Sequence, residues 1–126
     1  MKLHHVALTI KDLEISLPFY ESNFGFKEIK RFRRDDMGAT GCMIENENII
    51  IELWQYDNFK EGTKEDMSFG GIKHIAFTED YVEAVYNRFT EKGIVCGPLR
   101  KGASGGVYFF LKDPDGNEIE IYKSNN

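Results

Sequence analysis

The sequence predicts an α+β fold of two βαβββ modules, because one pattern of strands and helix occurs twice along its 126 residues. The two copies are HVALTIKDLEISLPFYESNFGF at 5–26 and HIAFTEDYVEAVYNRFTEKGIV at 74–95, which align at an offset of 69 residues. The repeat also aligns IELW at 51–54 with IEIY at 119–122 at an offset of 68 residues, so one deletion reconciles the two offsets. Each copy opens with alternating apolar and polar residues, as a half-buried strand does, and continues into a helix that ends at a glycine.

The first module begins with a strand at 3–10 and continues into a helix that ends at Gly25. We expect Ser16 to be the N-cap of this helix, which places Pro18 in the first turn, where its missing amide hydrogen costs nothing. Three strands are then predicted at 27–34, 39–45 and 48–56.

The second module repeats this order, with a helix that ends at Gly93. Its next strand, at 94–99, is weakly marked, whereas the strands at 106–112 and 118–123 are clear. The turn DPDGN at 113–117 joins the last two strands, because Pro and Gly suit a tight reversal of the chain.

The modules occupy residues 1–56 and 72–126, and we expect them to form one domain together. The segment 57–71 between them is polar and lacks the periodicity of a helix or a strand, so we interpret it as a linker and a candidate lid. The tract RKGASGG at 100–106 is a second candidate for a mobile loop over a site.

The composition indicates a globular protein, with 41% hydrophobic and 29% charged residues. No apolar run suits a transmembrane helix or a signal sequence, so we expect a cytoplasmic protein without a membrane partner. The net charge of −5 argues against a nucleic-acid partner, since Asp35 and Asp36 follow the basic run KRFRR at 30–34 at once. Cys42 and Cys96 have neither a disulfide-framework nor a metal-site spacing, and we expect both to be reduced and buried or half-buried.

Four polar side chains are predicted to share one face of the strands. Side chains alternate between the two faces of a strand, so the apolar residues define the face that packs on the helices. On the opposite face of the four strands lie His5, Glu52, His74 and Glu120. The neighbouring His4 falls on the apolar face or at the frayed start of its strand.

A carboxylate between isoleucines is costly to bury unless it is paired, protonated or bound to a cation. A single such His or Glu is ordinarily a hydrogen-bonded core residue or a side chain that faces water. Here a His and a Glu recur at equivalent places in both modules, which favours a shell of two His and two Glu around one divalent metal ion. Zn or Ni is the expected ion, and Co, Mn and Fe suit the same ligands.

The segments that carry these residues resemble the vicinal oxygen chelate superfamily, and most closely its glyoxalase I branch. The resemblance rests on HVALTIKDLEISLPFYESNFGF, IIIELW, KHIAF and KDPDGNEIEIY, and it covers nearly the whole chain. It implies that the two modules form a half-open mixed β-barrel around one divalent ion. The metal ligands of the family correspond to His5, Glu52, His74 and Glu120 of this sequence.

The resemblance also implies an activity, a metal-dependent lyase or isomerase that transfers a proton next to a carbonyl group. The expected substrate is a small molecule, for example the hemithioacetal of methylglyoxal that lactoylglutathione lyases use. A carboxylate beside the metal is the expected general base. Glu120 is the first choice and Glu52 is the second, since a site built from two equivalent modules could use either. The side chains expected to line the substrate pocket are Thr9, Trp54, Tyr56, Phe69 and Tyr122.

The sequence departs from the short bacterial glyoxalases at two positions. Those enzymes tend to have Arg four residues after the first His and Asn four residues after the first Glu, in contact with glutathione, whereas this chain has Thr9 and Tyr56. The identity of the thiol therefore stays open. So do three other readings, namely an epimerase of the methylmalonyl-CoA type, an extradiol dioxygenase, and a binding protein that sequesters a ligand as bleomycin-resistance proteins do.

Relatives of this length form homodimers, and we expect the same here. One module half-closes a barrel, so two modules meet either within one chain or across a two-fold dimer. The sequence is compatible with both arrangements.

Overall fold

A computed structural model describes residues 1–47, 49–63 and 65–123 of the chain. It divides the chain into two compact units, Met1–Lys64, called unit 1 below, and Glu65–Asn126, called unit 2. The boundary between them falls inside the segment 57–71 that we interpret as a linker. Each unit contains the strand–helix–three-strand order of a βαβββ module, so the predicted α+β fold class is confirmed.

The elements of unit 1 are β1 (Val6–Ile10), α1 (Leu13–Phe24), β2 (Lys27–Arg34), β3 (Ala39–Glu45) and β4 (Ile50–Tyr56). The strands form a sheet in the order β1-β4-β3-β2, in which β1 runs parallel to β4 and the other neighbours are antiparallel. The first and last strands of the module are therefore adjacent in the sheet, although α1, β2 and β3 separate them in sequence.

Helix α1 begins earlier than the sequence predicts. Asp12 is its N-cap, and the Asp12 side chain accepts a hydrogen bond from the backbone N–H of Glu14 at 2.9 Å. The prediction of Ser16 as the cap is wrong, since Ser16 is buried inside the helix, and Pro18 lies beyond the first turn. The earlier start puts Leu13 into the core, and its N–H donates to Oε1 of Gln55 on β4 at 2.6 Å.

The elements of unit 2 are β5 (His74–Thr78), α2 (Val82–Glu91), β6 (Arg100–Lys101), β7 (Val107–Lys112) and β8 (Glu118–Lys123). The sheet order is β5-β8-β7-β6, with β5 parallel to β8, which repeats the topology of unit 1. Among the described residues neither sheet closes on itself, as the half-open barrel modules of the prediction require.

The weakly marked strand at 94–99 is reduced to a single bridge between Cys96 and Leu111. Pro98 has no N–H to donate to a ladder, so pairing resumes only at the short strand β6. The tract 100–106 contains β6 and a turn that the N–H of Gly102 closes on the carbonyl of Gly106 at 2.7 Å.

One face of each sheet packs against the helix of its own unit. In unit 1 Ile51 and Leu53 are buried, and in unit 2 Phe109 and Ile121 are, whereas the immediate neighbours of each in sequence are more exposed. Because side chains alternate between the two faces of a strand, the opposite face of each sheet does not pack on the helix. No helix of the described residues is long and apolar enough to cross a membrane.

We expect Gly106→Ala to lower the free energy of unfolding by about 1–3 kcal/mol, as overpacking does. A Cβ at this position would lie 2.6 Å from the backbone carbonyl oxygen of Lys123 and 2.7 Å from the Tyr122 ring, and a backbone oxygen cannot swing aside. Urea denaturation measures the effect. Gly62→Ala is the control, because its Cβ would have nothing within 4 Å, and equal losses in the two variants would contradict the steric argument.

Candidate functional site

The strand register brings one His and one Glu together in each unit. In the parallel pair of β1 and β4, Ala7 is the partner of Glu52, and in the pair of β5 and β8, Ala76 is the partner of Glu120. A His precedes each Ala by two residues, as the first residue of β5 in unit 2 and as the residue just ahead of β1 in unit 1. The two units thus place the same two residue types at the same points of the same topology.

In unit 1, Nε2 of His5 lies 3.8 Å from Oε1 of Glu52, with 37% of the His5 side chain and 17% of the Glu52 side chain exposed. Strand β1 starts at Val6, so His4 and His5 precede it and strict alternation does not separate them. Instead, Nδ1 of His4 lies 2.8 Å from Nδ1 of His5, with the two rings edge to face. Nε2 is thereby the nitrogen of His5 that faces Glu52.

In unit 2, Nε2 of His74 lies 2.9 Å from Oε2 of Glu120. The Glu120 side chain is 15% exposed, and the Phe110 ring stands edge-on to the imidazole at 5.1 Å between centroids. Phe110 is the register partner of Glu120 on the adjacent strand β7, so the sheet itself supplies the wall that orients His74.

The donor atoms of each pair are spaced as two ligands of one divalent ion would be. Metal–nitrogen and metal–oxygen bonds of about 2.1 Å allow two ligands of the same ion to be at most about 4.2 Å apart, and both pairs lie within that limit. Imidazole and carboxylate are the donors that divalent transition metals accept, so the residues fit the implied ion. In residues 1–47, 49–63 and 65–123, no group of three or more His, Cys, Asp or Glu side chains is placed to hold a metal ion.

Three of the predicted pocket residues lie beside the unit 1 pair. Trp54 shares the face of Glu52, and its Nε1–H donates to Oε1 of Glu52 at 2.6 Å. Thr9 is the register partner of Trp54, and the Tyr56 ring lies 6.3 Å from the Trp54 ring. The indole N–H bond to Glu52 is a feature that the sequence prediction missed, since strand parity alone does not reveal hydrogen bonds along one face.

The other two pocket residues belong to unit 2. Tyr122 follows Glu120 by two residues on β8, and its hydroxyl lies 3.3 Å from Oγ of Ser104 in the turn between β6 and β7. Phe69 lies ahead of β5, where its N–H donates to the carbonyl of Asp66, and its side chain is about half exposed. Ser104 was not predicted, although it lies in the tract 100–106 that we expect to cover a site.

The basic run at 30–34 forms most of the edge strand β2, and its arginines are paired with acids. Arg33 makes two hydrogen bonds to the carboxylate of Asp57, at 2.9 and 2.6 Å, and Arg34 bonds Asp36 at 2.9 and 2.7 Å. These guanidinium groups hold the pKa of Asp57 and that of Asp36 below the usual range. The run therefore presents little unpaired positive charge to a nucleic-acid backbone.

The two cysteines are free, as expected. Cys42 is fully buried on β3 and Cys96 is half-buried. Burial raises the pKa of both thiols, because it disfavours the charged thiolate. Since the thiolate is the nucleophile, neither side chain is suited to covalent catalysis.

A protein-family model described as the Glyoxalase/Bleomycin resistance protein/Dioxygenase superfamily matches residues 2–121. The chain is 31% identical over 124 residues to the uncharacterized protein YwkD of Bacillus subtilis (strain 168), covering 96% of this chain and 95% of that protein. It is 28% identical to a lactoylglutathione lyase of Escherichia coli O157:H7, covering 100% of this chain and 95% of that enzyme.

Among solved structures, the glyoxalase family protein from Enterococcus faecalis superposes with a TM-score of 0.85 at 25% identity. The match covers 96% of each chain. The similarity in sequence and in fold thus extends over nearly the full length of this chain.

Replacing Arg33 by Gln is expected to return the pKa of Asp57 towards the ordinary aspartate value of about 3.9. A carboxyl pKa that is lowered in the folded state adds stability above the unfolded value, and that stability is lost as the pH falls through the lowered value. Carbon-13 NMR titration of the Asp57 carboxyl measures the shift. Arg34→Gln is the matched control, since it should raise the pKa of Asp36 and leave that of Asp57 unchanged; an ordinary pKa for Asp57 in the unmodified protein would contradict the pairing.

Proposed function

Because this chain belongs to the Glyoxalase/Bleomycin resistance protein/Dioxygenase superfamily, we propose that it is a metal-dependent lyase or isomerase that transfers a proton next to a carbonyl group. The observation that carries the proposal is the duplicated His–Glu pair, on the face of each sheet that does not pack on the helix. A single pair of this kind is an ordinary ion pair. Two pairs at equivalent places of a repeat supply the four ligands that one divalent ion takes up.

In this proposal His5, Glu52, His74 and Glu120 hold the ion. When bound, the ion acts as a Lewis acid that stabilises negative charge on a substrate oxygen. The two histidines serve as neutral ligands, and their ring orientation is fixed by His4 in unit 1 and by Phe110 in unit 2. Zn and Ni are the first candidates for this ion, and Co, Mn and Fe are the alternatives.

We assign the proton transfer to Glu120. A carbon-bound proton next to a carbonyl needs a base within hydrogen-bond reach, and a carboxylate in a half-buried site can accept it and return it to the neighbouring carbon. Glu120 pairs with His74 alone among the contacts described for it, whereas Glu52 also receives the indole N–H of Trp54. Glu120 is therefore freer to change partners during a reaction, and Glu52 is the second choice.

The substrate class is a small carbonyl compound, with a hemithioacetal of methylglyoxal as the first candidate. Support comes from the similarity to lactoylglutathione lyases, at 28% identity for the Escherichia coli O157:H7 enzyme. Thr9 and Tyr56 lie in the region where glutathione-dependent relatives are expected to carry Arg and Asn, so the thiol is a separate question. Assays with several thiols answer it directly.

Purified protein is expected to contain about one divalent ion per chain, because each chain provides one set of four ligands. His74→Ala should lose most of this metal while remaining folded, since removal of the imidazole leaves only three of the four proposed ligands. Elemental analysis after dialysis measures the metal, and circular dichroism checks the fold. Lys73→Ala is the control for a change beside the ligand; wild-type metal content in His74→Ala would contradict the proposed site.

Glu120→Gln is expected to lower turnover of the methylglyoxal–thiol adduct by at least about 100-fold, the lower range for general acid–base catalysis. Glutamine keeps the size of the side chain and an oxygen donor but cannot accept the proton. The rate of adduct loss and the exchange of the carbon-bound proton with deuterated solvent both measure the step.

Glu118→Gln is the control for Glu120→Gln, because Glu118 lies two residues earlier on β8 and its carboxylate faces Lys112 at 3.7 Å. An unchanged rate in Glu120→Gln would transfer the role to Glu52. Tight binding of an apolar ligand by metal-free protein, with no exchange of any substrate proton, would instead favour a sequestering protein.

Two arrangements of the modules satisfy the proposal, and a homodimer is the expected assembly. If each site takes its two pairs from different chains, mixing His5→Ala with His74→Ala restores one complete ligand set per mixed dimer. If each site takes both pairs from one chain, the mixture stays inactive. Light scattering gives the oligomeric state of the same samples.

A further inference from the structure

The two units differ at the position two residues after the glutamate, although the surrounding positions are equivalent. In unit 1 this residue is Trp54, whose Nε1–H donates to Oε1 of Glu52 at 2.6 Å. In unit 2 it is Tyr122, whose hydroxyl lies 3.3 Å from Ser104 and so turns to the neighbouring loop. The repeat has thus kept the ligand pair and changed what holds its carboxylate.

The indole owes its orientation to three positions in register across the sheet. Phe32 on β2 pairs with Gly41 on β3, and Gly41 pairs with Trp54 on β4. A Cβ on Gly41 would lie 2.6 Å from the Phe32 ring and 3.2 Å from the Trp54 ring, so the absence of a side chain lets the two rings approach. They meet edge to face at 5.4 Å between centroids, and the Tyr56 ring lies 6.3 Å from the Trp54 ring.

The arrangement of a glycine between two aromatic rings is not repeated at the equivalent described positions of unit 2. The residue paired with Tyr122 on β7 is Tyr108, where unit 1 has Gly41. A large ring at that position removes the space that Phe32 fills in unit 1. The space between two rings that Gly41 provides in unit 1 is therefore occupied by a side chain at the equivalent position of unit 2.

The same carboxylate oxygen faces both neighbours of Glu52. Oε1 lies 2.6 Å from Nε1 of Trp54 and 3.8 Å from Nε2 of His5, so the indole is its hydrogen-bond partner. A carboxylate oxygen has two lone pairs, so Oε1 can accept the indole N–H and still offer the other lone pair on the side of His5. A carboxylate fixed by a donor in this way is pre-oriented as a ligand, which is how partners around a metal site raise its affinity.

We infer that Trp54 is a positioning residue that fixes the Glu52 carboxylate as a metal ligand through the indole N–H. The inference rests on the proposed function, since it takes Glu52 to bind the ion. Trp54 acts here through Glu52, in addition to forming a wall of the pocket. Loss of such a partner lowers metal affinity by about 10- to 100-fold.

The chain contains a single tryptophan, which makes the contact directly observable. A proton–nitrogen NMR spectrum of metal-free protein shows one indole N–H resonance, and its hydrogen bond to a carboxylate is expected to move that proton downfield. Glu52→Gln should shift the resonance upfield, because a neutral amide oxygen is a weaker acceptor. Zn²⁺, a diamagnetic probe, should shift the resonance of the unmodified protein as Glu52 binds it.

Metal affinity provides the second measurement, made by competition between the protein and a coloured chelator for Zn²⁺. Trp54→Phe keeps an aromatic ring but removes the donor, and it is expected to bind Zn²⁺ about 10- to 100-fold more weakly. Tyr81→Phe is the control, because Tyr81 is exposed at the start of α2 and belongs to no part of the proposed site, and its affinity for Zn²⁺ should equal that of the unmodified protein. Thermal unfolding of both variants separates a lost contact from a lost fold.

The outcomes separate this inference from the proposed function. If the unmodified protein binds no Zn²⁺, the proposed function fails, and the indole resonance still decides whether Trp54 holds Glu52. A folded Trp54→Phe variant with unchanged Zn²⁺ affinity overturns the inference while the metal site stands. If Trp54→Phe does not fold, an indole resonance that Glu52→Gln leaves unmoved overturns the inference instead.

Discussion

The parallel pairing of the first and last strands of each module is the constraint on which the rest depends. It places Ala7 beside Glu52 and Ala76 beside Glu120, and thereby brings the His at the start of one strand over the carboxylate on the other. Parallel neighbours cannot be joined by a tight hairpin, so the intervening chain has to be long, and here it supplies a helix and two more strands. The helix covers one face, which leaves the other face to carry polar side chains.

A carboxylate on that free face is costly unless a partner compensates it. Glu52 and Glu120 lie between fully buried isoleucine or leucine neighbours, and each is itself less than one-fifth exposed, at 17% and 15%. An apolar residue would be more stable in this setting, so the charge indicates function rather than folding. The same cost of burying a carboxylate occurs in both units, which is a physical reason to expect a cation, independent of any family resemblance.

Strand parity predicts that Glu52, His74 and Glu120 share a face with their alternate neighbours, because the period of two is fixed by the backbone, whereas His5 lies just ahead of β1. The start of α1 was not predictable in this way. Ser16 and Asp12 are both good caps, and the choice between them depends on Leu13, which has to reach the core and which Gln55 holds from another strand. A cap is a local preference of about 1 kcal/mol, and burial of a leucine outweighs it.

The same distinction applies to the site. The face that Glu52, His74 and Glu120 occupy follows from the sequence, whereas the contacts of His4 and Trp54 depend on where a strand begins and on which side chain lies two strands away. Alternation predicts that adjacent residues point apart, but β1 starts only at Val6, so His4 reaches His5. Likewise nothing near Trp54 in the sequence reveals that Gly41 and Phe32 shape its surroundings, because register across a sheet is a property of the fold.

Two His and two Glu side chains do not by themselves select a substrate. Selection has to come from the other side chains on the same face, which in unit 1 include aromatic rings and the hydroxyl of Thr9. A charged carboxylate on a substrate gains about 1.5–3 kcal/mol from a charged hydrogen-bond donor, and Thr9 provides only a neutral one. A cation on this face is Lys30, whose Nζ lies 5.9 Å from the centre of the Phe32 ring and which is in register with Glu52 through Met43. An anionic group of a substrate would therefore find a charged partner at Lys30, two strands from Glu52, rather than at Thr9.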